Sequence, residues 1–137
     1  MKMSDLMYFL GEVPVKNRDM ESAREFGIDF EKLIVYHVTK SANVDSIKAL
    51  GIQARSSKQS YDRPESVYFF VDQNEINRTT LDILGLDEDY TIIKVAIPVK
   101  NVVSKMRWDG LFNVTFKLSY TAVQYMDSIP TAWIIND

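Results

Sequence analysis

Leu33 to Tyr36 form an unbroken apolar and aromatic run, bounded by Glu31 and Lys32 before it and by polar residues after it. Such a run predicts a buried strand. Continued to Thr39, period-two geometry places Leu33, Val35, His37 and Thr39 on one face, the last two where the strand opens into a loop. Ser41 is then a candidate helix cap, because its hydroxyl can accept from exposed backbone N–H groups. Val44, Ile47 and Leu50 recur every three residues as one apolar stripe, and Gly51 follows at the position where a left-handed turn closes a helix.

The same pattern continues along the chain. Val67–Val71 reads as a second strand, ended by Asp72. Asp72 with Glu75 resembles a capping box that opens a helix carrying Ile76, Thr80 and Leu84. Gly85 closes that helix, and Tyr90–Val99 is a third strand with Pro98 near its end. Val102 and Val103 extend it irregularly. Asp109-Gly110 is a turn. From Leu111 to Leu118 the apolar Phe112, Val114, Phe116 and Leu118 alternate with Asn113, Thr115 and Lys117, which predicts a half-buried strand. Thr121–Met126 is a further strand, and Ser128–Ile135 packs the C-terminal segment with Trp133 inside or at a rim. Strands outnumber helices and cluster late, so the expected class is α+β with a mainly antiparallel sheet and short helices.

Residues 1–32 follow a different pattern. Leu6, Met7, Phe9 and Leu10 suit one helical face with Ser4 as a candidate cap. Met20, Ala23, Phe26 and Phe30 recur at helical spacing in a charged segment that Gly27 weakens. The expected organisation is an N-terminal helical addition over residues 1–32, packed on a main domain over residues 33–137.

Composition narrows the chemistry. The net charge is −3, which argues against a broad nonspecific nucleic-acid surface. With no cysteine, disulfides and zinc–thiolate sites are excluded, and a reducing cytoplasmic setting is expected. No apolar stretch approaches a membrane span, so no membrane partner is expected. A Ser or Thr nucleophile would depend on the single histidine, His37, and no local signature marks such a triad. Metal-ligand spacing, a P-loop and a glycine-rich dinucleotide fingerprint are all missing. Two readings of His37 remain open: a structural role, or a ligand contact at a strand end beside a helix N-terminus. The loop from Ile52 to Glu65, about a dozen residues, carries Arg55, Lys58, Tyr61 and Arg63 as candidate contacts to a phosphate-bearing ligand or as a solvated surface.

The stretch YHVTKSANVDSIKALGIQAR, followed by SVYFF and later by SIPTAWI, resembles small bacterial and phage proteins of the ADP-ribosyltransferase fold. The resemblance runs from Leu33 to Ile135 and rests on H-x-T in the first strand, a short helix ending in Gly-Ile, and V-Y-F-F in the second strand. Similar openings occur in tRNA 2′-phosphotransferases. The resemblance implies a split, mainly antiparallel sheet and a cleft for NAD or a related nucleotide. His37 matches the histidine that bonds the adenosine-side ribose. Thr39 lies where the nicotinamide end is held, and Tyr68 matches an aromatic that packs on nicotinamide. Active members use a late-strand glutamate to stabilise oxocarbenium-like charge. Here no glutamate follows Glu88, Met126 stands at the glutamate position of a Q-x-E pattern, and Gln124 is the candidate catalytic position. The expected activity is transfer of ADP-ribose from NAD to a macromolecule. The alternatives are a catalytically degenerate module that binds a protein partner, and RNA 2′-phosphotransferase-like activity, for which nucleic acid is the less expected partner.

Overall fold

The structure, a computed structural model, describes residues 2–28, 31–55, 65–86, 88–115 and 121–136, with Leu111 and Thr115 described by their backbone alone. Lys58, Tyr61 and Arg63, candidate phosphate contacts by sequence, lie outside the described residues. Two helices, α1 (Met3–Glu12) and α2 (Met20–Glu25), precede strand β1 (Lys32–Lys40) and helix α3 (Val44–Leu50). Strand β2 (Val67–Phe70) leads to helix α4 (Arg78–Ile83), strand β3 (Tyr90–Pro98) and helix α5 (Val99–Lys105). Strand β4 (Met106–Trp108), helix α6 (Gly110–Thr115) and strand β5 (Ala122–Tyr125) complete the set. The described strands form one five-stranded sheet in the spatial order β3-β1-β2-β5-β4, and every adjacent pair is antiparallel. The class is therefore α+β, as the late clustering of strands predicts.

Strand periodicity gives the sheet two unlike faces. One carries Val35, Phe69, Val95, Ile97, Val123 and Tyr125, and packs into a single apolar cluster with Leu6 and Phe9 of α1, Ala23 of α2 and Val102 of α5. The helical segment before β1 thus shares the sheet's own core. Removal of apolar surface from water, at roughly 25 cal/mol per Å², is the main drive for this packing. Arg18, 9% exposed, fastens the arrangement. Its guanidinium donates from Nη2 to the Leu10 carbonyl at 3.1 Å, from Nε to the Val13 carbonyl at 2.6 Å, and from Nη1 to the Met106 carbonyl on β4. The same group lies 5.5 Å from the Phe9 ring centroid. Trp108 donates its indole N–H to the Met7 carbonyl at 3.2 Å.

Several local expectations are corrected. The alternation at Leu111–Leu118 does not make a strand at its start: residues 110–115 are helical, and Val114 is 70% exposed. Asp109 competes successfully for this segment. Its carboxylate accepts from the Phe112 N–H at 3.1 Å and its carbonyl from the Asn113 N–H at 3.0 Å, which closes a helical turn. Phe116 and Leu118 lie outside the described residues. Residues 99–105 are helix α5, not an extension of β3, because Val99, Val102 and Val103 sit at the i, i+3, i+4 spacing and are all buried. Three capping assignments also change. Lys2, not Ser4, precedes α1. Ser41 opens a 3₁₀ turn and shares a 2.8 Å hydrogen bond with Thr91. Asp72 caps only the 3₁₀ turn Gln73–Glu75, whereas Asn77 caps α4 by accepting from the Thr80 N–H at 3.1 Å.

Candidate functional site

The sheet is unevenly joined. Strand β1 pairs with β3 along its whole length, from Lys32↔Pro98 to Lys40↔Tyr90. Between β1 and β2 the pairing is a single register point, Tyr36↔Phe70. Extending that register would bring Val38 opposite Tyr68, but the ladder stops. The Tyr68 carbonyl instead accepts from His37 Nδ1–H at 2.8 Å. A side chain thus replaces a rung at the seam between the two halves of the sheet.

This bond sets the chemistry of His37. A carbonyl only accepts, so Nδ1 carries the proton and the neutral ring keeps its lone pair on Nε2. Burial lowers the His37 pKa from its ordinary value of 6.5, and the bond to the Tyr68 carbonyl partly opposes that shift. The half-buried imidazole also meets the Phe69 ring edge-on at 5.7 Å. A neutral His37 with Nδ1 protonated can accept a hydrogen bond from a hydroxyl at Nε2. Thr39 is buried on the same strand face, and its hydroxyl oxygen accepts from Asn43 Nδ2 at 3.2 Å. Its own O–H can donate onward.

Tyr68 and Gln124 are cross-strand partners, so their side chains share the opposite face of the sheet. Gln124 is 2% exposed and held from two sides. Its Oε1 accepts from Arg107 Nε at 2.9 Å, and its Nε2 donates to Ser66 Oγ at 3.5 Å. An amide in this position does not ionise. Arg55 is exposed, and its backbone exchanges two hydrogen bonds with Ser66, at 3.1 and 3.2 Å. The fold therefore links four of the five sequence-derived positions around β2. His37 reaches the Tyr68 backbone, Tyr68 faces Gln124, and Gln124 reaches Arg55 through Ser66. Thr39 lies two residues further along β1 and joins the group only through that strand.

Three contributors escaped the sequence reading: Asn43, Ser66 and Arg107. Arg107 lies just before the Asp109-Gly110 turn, in a stretch to which the sequence pattern assigns no element. The period-two order of Met106, Arg107 and Trp108 is its sequence signal, since the two apolar residues flank one polar position.

A surface cleft of about 350 Å³ is lined by Tyr36, Val44, Lys48, Gln73, Lys94 and Asn136, among others. None of the five sequence-derived positions lines it, although Tyr36 adjoins His37. Among the described residues no group of histidine and carboxylate side chains is placed to hold a metal ion, and no helix is long and apolar enough to cross a membrane. No protein-family model matches the chain, and no curated protein matches it.

Proposed function

We propose that this protein is an ADP-ribosyltransferase-like domain that binds NAD or a related nucleotide at the seam between β1 and β2. The observation that carries the reading is the His37 Nδ1–H bond to the Tyr68 carbonyl at the point where the β1–β2 ladder ends. It fixes a neutral imidazole whose Nε2 accepts a ribose hydroxyl. Thr39 would hold the nicotinamide end with a hydroxyl oriented by Asn43, whereas Tyr68, whose ring lies on the opposite face of the sheet, would contribute through its backbone carbonyl on His37 and not as an aromatic contact. The reading carries with it a cytoplasmic setting, where NAD is plentiful.

A second reading, a degenerate binding module of the same fold, draws on Gln124. The side chain at the candidate catalytic position is neutral and engaged by Arg107 and Ser66. It supplies no negative charge to an oxocarbenium-like transition state. Ligand binding is therefore favoured over ADP-ribose transfer.

Calorimetric titration with NAD, on wild type and His37→Ala, tests the proposal. Saturable binding is expected, weakened about tenfold in the variant, the worth of one hydrogen bond of about 1.4 kcal/mol. Absence of binding up to millimolar NAD overturns the nucleotide reading. Release of nicotinamide from NAD separates the two readings, because a degenerate module binds without releasing it.

A further inference from the structure

Arg107 carries a charge that no described ion pair neutralises. Its Nε is spent on Gln124 Oε1, an assignment that chemistry forces, since a guanidinium has donors only and must meet an amide oxygen. The bond turns Gln124 Nε2 toward Ser66 Oγ and holds the guanidinium plane, leaving the Nη donors for another acceptor. The described ion pairs, Arg78–Asp82 and Lys105–Asp127, do not include Arg107. Arg55, exposed and paired through its backbone with Ser66, belongs to the same sheet face as Ser66, Gln124 and Arg107. The buried Arg18 also senses this surplus: its pKa is lowered to about 10, first by burial and then by the nearby charge of Arg107.

We propose that Arg107 forms a binding subsite for an oxyanion of the phosphate class, with Gln124 and Ser66 as positioning residues that hold the Arg107 fork, and with Arg55, on the same face but separated from it by β2 and β5, as a peripheral source of positive charge. A planar guanidinium fixed through Nε presents its two terminal nitrogens to two phosphate oxygens, a bidentate geometry that a mobile lysine does not match. A neutral partner is essential to the design. Gln124 orients Arg107 without quenching its charge, whereas a carboxylate there would compete with the ligand. This role stands independently of the nucleotide reading at His37.

Titrations with inorganic phosphate, followed by NMR of the arginine side-chain N–H signals, test the subsite on the whole chain. Wild type is expected to saturate. Arg107→Gln is expected to lose about tenfold or more in affinity, Arg107→Lys to fall between the two, and Arg55→Gln to weaken binding less. Gln124→Glu is expected to reduce phosphate affinity by pairing with Arg107, which a merely structural glutamine would not do. His37→Ala is expected to leave phosphate binding unchanged while weakening NAD binding, so the two proposals fail separately. Adenosine monophosphate binding tighter than phosphate identifies a nucleotide as the source of the oxyanion, and equal binding identifies free phosphate. Unchanged affinity in Arg107→Gln, or equal displacement by chloride at the same concentration, overturns the proposal. If Arg107→Gln does not fold, Arg55→Gln and Gln124→Glu decide it: wild-type affinity in both overturns the subsite.

Discussion

Replacing Gly51 by alanine would place a methyl group where the fold has no room for one. Gly51 ends α3 with φ of 79° and ψ of −173°, a region that is essentially reserved for glycine and costs other residues about 1–3 kcal/mol. The added Cβ would lie 2.1 Å from the Ile129 carbonyl oxygen. That oxygen is backbone and cannot rotate away. It also accepts from the Ile52 N–H at 3.0 Å, while the Ile129 N–H donates to the Ile52 carbonyl at 2.8 Å. Relief of the clash must therefore open a two-bond bridge, at about 0.5–1.5 kcal/mol per bond. The expected destabilisation is about 2–6 kcal/mol, a large share of a typical domain stability of about 5–15 kcal/mol. Urea unfolding followed by circular dichroism measures it. Gly11→Ala is the control: no atom lies within 4 Å of where its Cβ would stand, and the site is inside α1, so a gain of about 0.5–1 kcal/mol is expected. A loss below about 1 kcal/mol for Gly51→Ala, or a comparable loss for Gly11→Ala, would refute the reasoning.

Three further outcomes are expected. His37 has a folded pKa below its ordinary 6.5, so the unfolded chain takes up this proton first; stability is fully present above about pH 6.5 and declines as pH falls below it. NMR titration of the single histidine and unfolding curves between pH 7 and pH 5 check this, and His37→Ala should flatten that part of the stability profile. Arg18→Met leaves the Leu10, Val13 and Met106 carbonyls without their donor and is expected to cost about 3 kcal/mol in urea unfolding; a neutral result would show that the apolar contacts alone hold α1. Asn113→Ala removes an amide whose Oδ1 accepts from the Thr121 and Ala122 N–H groups and whose Nδ2 donates to the Ala122 carbonyl. A loss of about 2–4 kcal/mol is expected, with faster hydrogen exchange at the start of β5.

Strands β1, β2, β3 and β5 were legible as short apolar or aromatic runs, whereas the alternation at Leu111–Leu118, the clearest half-buried strand by its period, opens as helix α6. Gly51 was equally legible, because a helix stripe ending in glycine has few other meanings. The misreadings have a common physical origin. At Val99–Val103 and at Leu111–Thr115, short apolar spacings fit two periods, and a nearby group decides between them: Pro98 before α5, and the Asp109 carboxylate before α6. Such decisions rest on one cap or one side-chain bond, which a periodicity count does not weigh. The candidate site was legible as residues and not as geometry. His37 and Gln124 stand out as types, but the imidazole bond to the Tyr68 carbonyl and the hold of Arg107 on Gln124 depend on strand order. Spatially, β2 lies between β1 and β5, although β2 ends at Phe70 and β5 begins only at Ala122, with β3 and β4 between them in the chain.

The Arg18 clamp has a consequence for how this chain keeps to itself. Strand β4 is three residues long and borders the sheet, and border strands with open carbonyls recruit strands from other molecules. Here the Met106 carbonyl is occupied by Arg18, and the Trp108 indole is drawn onto the Met7 carbonyl of α1. The helical segment therefore acts as a guard against aggregation as well as a piece of the core. A fragment trimmed to begin at β1 would uncover both the border and the apolar surface that Leu6, Phe9 and Leu10 occupy. Such a fragment would associate with its own copies before it could be tested for any ligand.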